Sequence, residues 1–319
     1  MTRLINWMLI LLLAAVADAG PLVDQLKEFD PLPKVTPTWA WNNRVMNDPE
    51  LRQEMARVLR CASGNLRWDN AARIQKLVDT EPENIAFNWS PYHDKFNAYP
   101  RWTKSEVCGP ITLKDMDYFS YFWTKASNAK ALVGSIPVIM AFDHEIGCGD
   151  KPGVGDKLNI FYRMAKEIFG GDVFFYNHNQ WIPSWLHEEG RISSPVPSNT
   201  HGDFSNLSLY YNAYSVEHSS RMELTILHTE GLIVPWLSVG SVYAMYPYKE
   251  SGRTRSANVI WLEQIGETWH KSRILHQHPR VHSVFLWPEP LRPPKGSYPG
   301  MSDDHFIEYL RGALGIKRP

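Results

Sequence analysis

Apolar runs alternate along the chain with segments in which apolar residues recur every three or four positions. The runs predict seven β-strands, at 36–42, 84–90, 137–142, 172–179, 207–214, 232–240 and 282–290. The periodic segments predict amphipathic helices at 48–59, 112–133, 156–169, 216–230, 257–275 and from 303 onward. Strands and helices that alternate at this spacing are typical of parallel βα units.

Local sequence marks where several of these helices begin or end. Asp48 precedes Pro49, a pairing of a capping side chain with a proline at the first helical position. Thr112 stands before the longest helical pattern, and Gly170-Gly171 ends the one that starts at Asp156. The helix boundaries are therefore predicted independently of the strands.

The strands read as continuous apolar runs, which indicates burial on both faces. We predict an α/β fold, a (β/α)8-like TIM barrel with one irregular unit, because only seven strands are recognised. An open doubly wound sheet is the alternative, although no glycine-rich phosphate loop follows the first strand. The length allows two domains, but no repeat or Gly/Ser linker divides the chain, so residues 20–319 are predicted to form one domain.

Residues 1–19 have the pattern of a secretory signal peptide. Arg3 precedes an apolar core at 7–17, and the small-x-small sequence at 17–19 fits a cleavage site. The core is shorter than the roughly 20 residues that span a bilayer, which leaves a retained anchor as the less favoured alternative. We expect a secreted, extracellular protein with no membrane association beyond the signal peptide.

Composition narrows the classes of partner. The formal net charge of −1 and pI of about 6.9 provide no electrostatic basis for nucleic-acid binding or for an acidic membrane surface. The chain contains 13 Trp, 14 Tyr and 13 Phe, which suits both a large core and the stacking of sugar rings. No cofactor is predicted.

Nearly every predicted strand ends on an aromatic residue and a hydrogen-bonding group. In βα barrels the functional residues lie at the carboxyl ends of the strands. Such ends would form a cleft with aromatic platforms and polar contacts, suited to a polyhydroxylated substrate. The predicted substrate-binding residues are Trp41, Asn42, Tyr176, Asn177, His178, Tyr211, Trp236 and Trp287.

The third strand ends on two acidic residues, Asp143 and Glu145. Residues two apart in a strand lie on the same face, whereas His144 lies on the other. Cleavage of a glycosidic bond needs a protonated carboxyl at the leaving oxygen and a negative group near the developing cation. A helix cap, a cation site or an ion pair with a basic loop is the structural alternative for these acids.

Glu289, at the end of the seventh strand, offers a different acid pair across the barrel from Glu145. In many retaining glycosidases the nucleophile and the acid come from separate strands. Glu289 stands between two prolines, however, and Pro-Glu-Pro also fits a rigid loop. We retain Glu289 as a third candidate catalytic residue.

The sequence IMAFDHE at 139–145 resembles the strand-ending D-x-E element of hyaluronidases, chitinase-type glycosidases and some muramidases. TWAWN at 38–42 looks like the first strand of hyaluronidases, and NAYP at 97–100 and GPITLKD at 109–115 are further matches. Two features depart from the families. The later cysteines of animal hyaluronidases are missing, and Ala141 stands where chitinases have a further Asp.

The resemblance implies a role for each acid. Glu145 would be the general acid, and Asp143 would orient the N-acetyl group of the substrate, which serves as the internal nucleophile. Tyr176, Tyr211 and Trp287 would stand where these families place aromatic residues against the substrate.

The three cysteines allow one disulfide. Cys108 precedes a helix and Cys148 follows the acidic pair, so we predict a Cys108–Cys148 bond at one end of the fold, with Cys61 buried in a helix. Among the 12 histidines, His276 and His278 have H-x-H spacing but follow a helix rather than a strand, and no metal site is assigned.

These observations favour a secreted glycoside hydrolase that cleaves a polysaccharide, with N-acetylated sugars as the candidate units. Two other classes remain open. A barrel that has lost catalysis would bind carbohydrate as a lectin-like protein, and a metal-dependent hydrolase would lose activity on chelation.

Overall fold

Helices and strands alternate over residues 49–177 of the structure, a computed structural model. The described residues are 23–24, 27, 30–41, 43–90, 109–144, 152–177, 203, 205–208, 232–238, 249–250, 253–254 and 277–287. The helices are α1 (Asn43–Asn47), α2 (Pro49–Leu59), α3 (Ala71–Val78), α4 (Leu113–Val133) and α5 (Pro152–Phe169). The strands are β1 (Ala62–Asn65), β2 (Ile85–Trp89), β3 (Val138–His144), β4 (Val173–Asn177), β5 (Ser205–Ser208), β6 (Ile233–Ser238), β7 (Lys249–Glu250), β8 (Arg253–Thr254) and β9 (Phe285–Trp287).

Two parallel sheets form most of this architecture. One has the order β1-β2-β3-β4 and the other β5-β6-β9, with every neighbouring pair parallel. A short antiparallel pair, β7-β8, stands apart from both. The predicted α/β class with parallel strands is confirmed.

Backbone hydrogen bonds join the two sheets on both sides. Thr38 forms an isolated parallel bridge with Leu286 of β9, and the Trp41 N–H donates to the Ser63 carbonyl of β1 at 3.1 Å. Residues 36–41 therefore lie between β1 and β9. On the other side, the Asp203 N–H, just before β5, donates to the Val173 carbonyl of β4 at 3.0 Å.

Two units at the start of the chain differ from the predictions. Residues 36–42 were predicted as a strand, but the described part has only the bridge at Thr38, because the backbone bends at Trp39. The strand of this region is β1, whose sequence ASGN has no apolar run, and it was missed together with α3. Small and polar residues suffice there because all four positions are buried by their neighbours.

Other elements follow the predicted pattern with shifted ends. The helices predicted at 48–59 and 112–133 correspond to α2 and α4, and α5 starts four residues before the predicted 156. The fifth strand is described at Ser205–Ser208, which overlaps the predicted strand 207–214 at residues 207–208, and residues 209–214 lie outside the described residues. Cys61 is buried as predicted but lies between α2 and β1, not in a helix. The helices predicted at 216–230, 257–275 and after 303, and the signal peptide, lie outside the described residues.

The predicted caps are present. The Asp48 carboxylate accepts a hydrogen bond from the Leu51 N–H at 3.0 Å, with Pro49 at the first position of α2. Thr112 and Asp115 form a reciprocal capping box at the start of α4. Gly170, with φ +69°, ends α5 in the left-handed region that glycine adopts without steric cost.

An aromatic cluster joins α4 and α5 to the four-stranded sheet. Phe161 of α5 contacts Phe122 of α4 edge-on, with ring centroids 5.1 Å apart, and both rings lie against Phe142 of β3. All three side chains are fully buried. Edge-to-face pairs of this kind add to the free energy gained by burial, so the cluster fixes both helices on one side of β3.

No helix in the described part of the chain is long and apolar enough to cross a membrane.

A stability prediction concerns the turn between α5 and β4. A Cβ at Gly171 would overlap the backbone carbonyl of Val138, whereas a Cβ at Gly170 would meet open space. We expect Gly171→Ala to lower the free energy of unfolding by about 2–3 kcal/mol, since the carbonyl cannot move without distorting β3. Gly170→Ala should cost about 1 kcal/mol for its left-handed backbone. Urea denaturation of both variants measures the difference, and equal costs would contradict the close approach.

Candidate functional site

The four-stranded sheet packs differently on its two faces. On one face, which we call the helix face, Met140 and Phe142 of β3 belong to a core cluster that includes residues of α2, α3, α4 and α5. On the other, which we call the second face, Ile139 and Ala141 belong to a separate cluster without helical residues. Strand alternation thus assigns each position of β3 to one of two cores.

Residues of both sheets meet in the second-face cluster. Its buried members are Trp39, Cys61, Ala86, Ile139, Ala141, Phe174, Val234, Trp236 and Phe285. They come from β2, β3 and β4 of one sheet, from β6 and β9 of the other, and from the segments that precede β1. The second faces of the two sheets therefore share one core.

The same alternation orders the carboxyl ends of the strands. Position 143 follows Ile139 and Ala141 on the second face of β3, and its register partner across β4 is position 176. Position 176 follows Phe174, and position 287 follows Phe285, on the same face. Position 177 has the parity of Val173, which belongs to the helix-face cluster.

Asn88 of β2 is a polar side chain on the second face. It is fully buried, and its Nδ2 donates to the carbonyls of Thr38, Trp39 and Gly64 at 3.1, 3.0 and 3.2 Å. These bonds tie residues 36–41 to β1 and β2. The Asn88 Oδ1 is buried and has no hydrogen-bond partner among the described residues. A buried acceptor without a donor costs free energy, so this oxygen is a candidate acceptor of a hydrogen bond from a ligand bound at the site.

Asn65 stands beside Asn88 in the register and begins a polar turn after β1. Its N–H donates to Asp69 Oδ2 at 2.8 Å, and Arg73 Nε donates to Asp69 Oδ1 at 2.8 Å. Burial nevertheless raises the pKa of the Asp69 carboxyl above its ordinary value, against the lowering effect of these two partners. The folded state therefore favours the protonated carboxyl of Asp69. The stability that this protonated group contributes is present at low pH and is lost as the pH rises through the folded-state pKa.

Arg67, in the same turn, packs over the end of β2. Its guanidinium carbon lies 6.0 Å from the ring centroids of both Trp89 and Tyr118, and it donates to the Ser90 carbonyl at 3.3 Å. The Trp89 Nε1 donates to the Tyr118 hydroxyl at 2.9 Å. These contacts hold the carboxyl end of β2 against α4.

The predicted site residues fall into three groups. Asp143, Tyr176, Asn177 and Trp287 lie within strands whose backbone is described. Asn42, Glu145, His178, Tyr211, Glu289, Cys108 and Cys148 lie outside the described residues. Trp41 and Trp236 are buried, with exposures of 1% and 0%.

Neither of these two tryptophans offers a ring face to a ligand. Trp236 stacks on Phe285 with centroids 3.8 Å apart, inside the second-face cluster. Trp41 belongs to the helix-face cluster. Both were predicted as substrate contacts because aromatic residues end their strands, but burial makes them core residues, and we leave them out of the proposed contact set.

The polar residues Asn65, Asn88 and Asp69, at or just after the ends of β1 and β2, were not among the predicted site residues. Asn88 had a signal, because it is the single polar residue inside the apolar strand IAFNW. Asn65 and Asp69 had none, since the strand that positions them was itself not recognised. Among the described residues there is no group of three or more His, Cys, Asp or Glu side chains that could hold a metal ion.

Asn88→Ala tests the polar joint, by which we mean the three hydrogen bonds from Asn88 to the carbonyls of Thr38, Trp39 and Gly64. The substitution removes the donor of three buried carbonyls, so we expect the free energy of unfolding to fall by about 2–3 kcal/mol. The matched control Asn47→Ala, at an exposed position, should stay within about 0.5 kcal/mol of the wild type. Chemical denaturation measures both variants, and similar small losses would mean that the joint contributes little.

Cys61 provides a chemical test of the second-face core. Burial raises the pKa of its thiol to about 12. At pH 8 only about one molecule in ten thousand then carries the thiolate, the species that reacts with alkylating agents. We expect the peptide containing Cys61 to remain unmodified by iodoacetamide in the native protein and to react in guanidinium. Rapid native labelling, detected by mass spectrometry, would contradict the burial.

Comparison with known proteins supports the fold and not a family. The chain is similar to a psychrophilic glycoside hydrolase family 10 endo-β-1,4-xylanase, with a TM-score of 0.50 and 10% identity over 90% of this chain and 98% of that one. A sugar phosphate isomerase/epimerase from Parabacteroides distasonis gives a TM-score of 0.38 and 13% identity over 87% and 95% of the two chains. CbXyn10B in native form gives 0.28 and 11% over 84% and 87%.

Only the first similarity is strong enough to bear on the fold, and it indicates a TIM-barrel type of architecture. No family model matches the chain, and no curated protein matches it. The resemblance to the D-x-E glycosidases therefore remains a prediction.

Proposed function

We propose that the two parallel sheets close into a single eight-membered barrel. Its members are the segment 36–41 and β1, β2, β3, β4, β5, β6 and β9. The hydrogen bonds from residues 36–41 to β1 and β9, and from Asp203 to β4, support this closure. The core shared by both sheets and the similarity to a xylanase of family 10 support it as well. The eighth member, which the sequence pattern lacked, would be β1.

We propose that the protein is a secreted glycoside hydrolase that cleaves a polysaccharide. The proposal rests on the alternation of positions along β3. Position 143 follows Ile139 and Ala141 on the second face, at the carboxyl end of the strand. Functional groups of βα barrels lie at that end. The fold similarity to a glycoside hydrolase agrees with this class without identifying a substrate.

In the proposed reaction Glu145 is the general acid. It transfers its proton to the glycosidic oxygen as the bond from that oxygen to the anomeric carbon breaks. The positive charge that develops on the sugar is stabilised by Asp143, directly or through an N-acetyl group of the substrate. Water then supplies the hydroxyl of the new reducing end and returns a proton to Glu145.

Tyr176 and Trp287 are retained as proposed substrate contacts, because positions 176 and 287 share the second face with position 143. Tyr211, His178 and Asn42, which lie outside the described residues, are retained from the sequence prediction alone. Asn177 has the opposite parity and is a weaker candidate. The Cys108–Cys148 disulfide and the signal peptide over residues 1–19 belong to the same proposal of an exported enzyme.

Variants of the acids test the proposal. We expect the wild-type protein, expressed without residues 1–19, to release reducing ends from at least one of chitin, hyaluronan, peptidoglycan, β-glucan and xylan. Glu145→Gln should lower kcat by about 10²–10⁴-fold, because the amide has no proton to donate. Asp143→Asn should also lower kcat. Glu167→Gln, at an exposed position of α5, is the matched control and should be fully active.

Each other outcome has a distinct meaning. Full activity of Glu145→Gln would refute the assignment of the acid. A loss in Glu289→Gln as large as that in Glu145→Gln would indicate two carboxylates on opposite sides of the cleft, with Glu289 as nucleophile. Binding to a glycan array without any cleavage would favour the lectin-like alternative, and loss of activity on chelation would favour the metal-dependent one.

A further inference from the structure

The turn between β1 and α3, residues 66–70, presents an aromatic ring and an amide at the surface. Trp68 is 49% exposed, more than any other Trp, Tyr or Phe side chain among the described residues. Asn70 is exposed as well. Asp69, which stands between them, is only 4% exposed. The two exposed side chains therefore flank a buried anchor.

Hydrogen bonds fix the backbone of this turn. The N–H groups of Trp68 and Asp69 both donate to the Asn65 carbonyl, at 3.2 and 2.8 Å. The Asp69 carboxylate accepts from the Asn65 N–H and from Arg73 Nε, each at 2.8 Å. Arg73 also donates to the Trp41 carbonyl at 3.2 Å, which joins the turn to the first member of the proposed barrel. The position of Trp68 is thus set before any ligand binds.

The turn lies at the functional end of the sheet. It connects a strand of a parallel sheet to the following helix, and such connections lie at the carboxyl ends of the strands. β1 and β3 are two strands apart, and neighbouring strands are about 4.8 Å apart, so the ends of β1 and β3 are roughly 10 Å from each other. An extended sugar chain can therefore contact both.

The two exposed groups match the two kinds of surface on a sugar ring. A pyranose has C–H groups on its faces and hydroxyls around its edge, and an indole ring covers such a face while removing apolar surface from water. Asn70 Oδ1 accepts a hydrogen bond from the Arg73 N–H at 3.0 Å as the cap of α3. The amide nitrogen is the opposite end of this side chain, and it can donate to a sugar hydroxyl.

Location and rigidity distinguish Trp68 from an ordinary surface aromatic residue. Single exposed apolar side chains are common on proteins. Trp123, which is 38% exposed, is such a residue, because it lies about 15 Å along α4 from the first residue of that helix. Trp68 instead stands beside the carboxyl end of a strand on a hydrogen-bonded turn, and a group held in place loses less conformational entropy on binding.

We propose that Trp68 and Asn70 form a subsite that binds one sugar ring of the polysaccharide, an inference that rests on the proposed function. The ring stacks on the Trp68 indole, and the Asn70 amide donates to one of its hydroxyls. The subsite takes no part in bond cleavage. It increases affinity for chains long enough to reach it, and so favours polymers over short oligosaccharides.

Four variants separate the two contacts from general effects. Trp68→Ala removes the aromatic surface, whereas Trp68→Phe retains a smaller ring. Asn70→Ser keeps an oxygen for the cap of α3 but lacks the amide. Trp123→Ala is the matched control for the loss of an exposed indole. Because all three positions are exposed, we expect circular dichroism and Tm to stay close to those of the wild type.

Binding and steady-state kinetics provide separate readouts. Binding is measured by retardation in native gels that contain hyaluronan, β-glucan or xylan, and by co-sedimentation with chitin or peptidoglycan. On a polymer that retains the wild type, Trp68→Ala should raise Kd about tenfold, with smaller changes for Trp68→Phe and Asn70→Ser. On a polymer that the wild type cleaves, Trp68→Ala should raise KM about tenfold and leave kcat unchanged, because the lost contact is the same in the ground state and the transition state.

The outcomes distinguish the subsite from the proposed function. Unchanged polymer binding by Trp68→Ala, an equal loss in Trp123→Ala, or no retention of the wild type by any of the five polymers would overturn the subsite. A fall in kcat without a change in KM would also overturn it, since that would place Trp68 at the reacting bond. Binding that depends on Trp68 in a protein that cleaves no polymer would support the subsite and reject the hydrolase. Cleavage with binding that is independent of Trp68 would do the reverse.

Discussion

The location of the candidate site depends on the packing of β3 between two different cores. Phe142 packs with Phe122 and Phe161 on the helix face, while Ile139 and Ala141 pack with residues of both sheets on the second face. A slip of one residue in register would exchange every side chain between these cores. Because the aromatic cluster needs Phe142 on the helix face, position 143 falls on the second face, and the location of the candidate site follows from the hydrophobic packing of the preceding residues of β3.

A polar joint complements this apolar constraint. Asn88 bonds to three carbonyls in two segments, and so fixes residues 36–41 beside β1 although these residues have no regular strand pairing. These hydrogen bonds hold the irregular segment 36–41 beside β1, at a position that a regular strand would otherwise occupy. Asn65 and Asn88 are level in the register with Ala141 and Phe174, two positions after Ala86 and Ile139. In this row the second face is therefore polar on β1 and β2 and apolar on β3 and β4.

The sequence pattern predicts those elements whose stability comes from their own apolar residues. β2, β3, α2 and α4 combine apolar runs or stripes with recognisable caps, and their positions agree with the prediction to within a few residues. β1 and α3 were missed because ASGN is buried by its neighbours rather than by its own hydrophobicity. Local pattern cannot reveal burial that other segments impose.

Site residues were harder to predict for the same reason. The rule that aromatic residues at strand ends contact substrate cannot distinguish an exposed ring from one stacked within the core, as Trp236 is on Phe285. Nor could the sequence point to Trp68, because the strand before it was not recognised. The parity of Asp143 within β3 was predictable, because period-two alternation is a local property of a strand.

A crystal structure of the protein with an oligosaccharide of the polymer that it cleaves would be the decisive test of the proposed site. We expect the carboxyl groups of Asp143 and Glu145 to enter one depression at the carboxyl ends of the strands, with a sugar ring between them and Tyr176 or Trp287. Carboxyl groups on opposite faces of β3, or a sugar bound away from this end of the sheet, would contradict it.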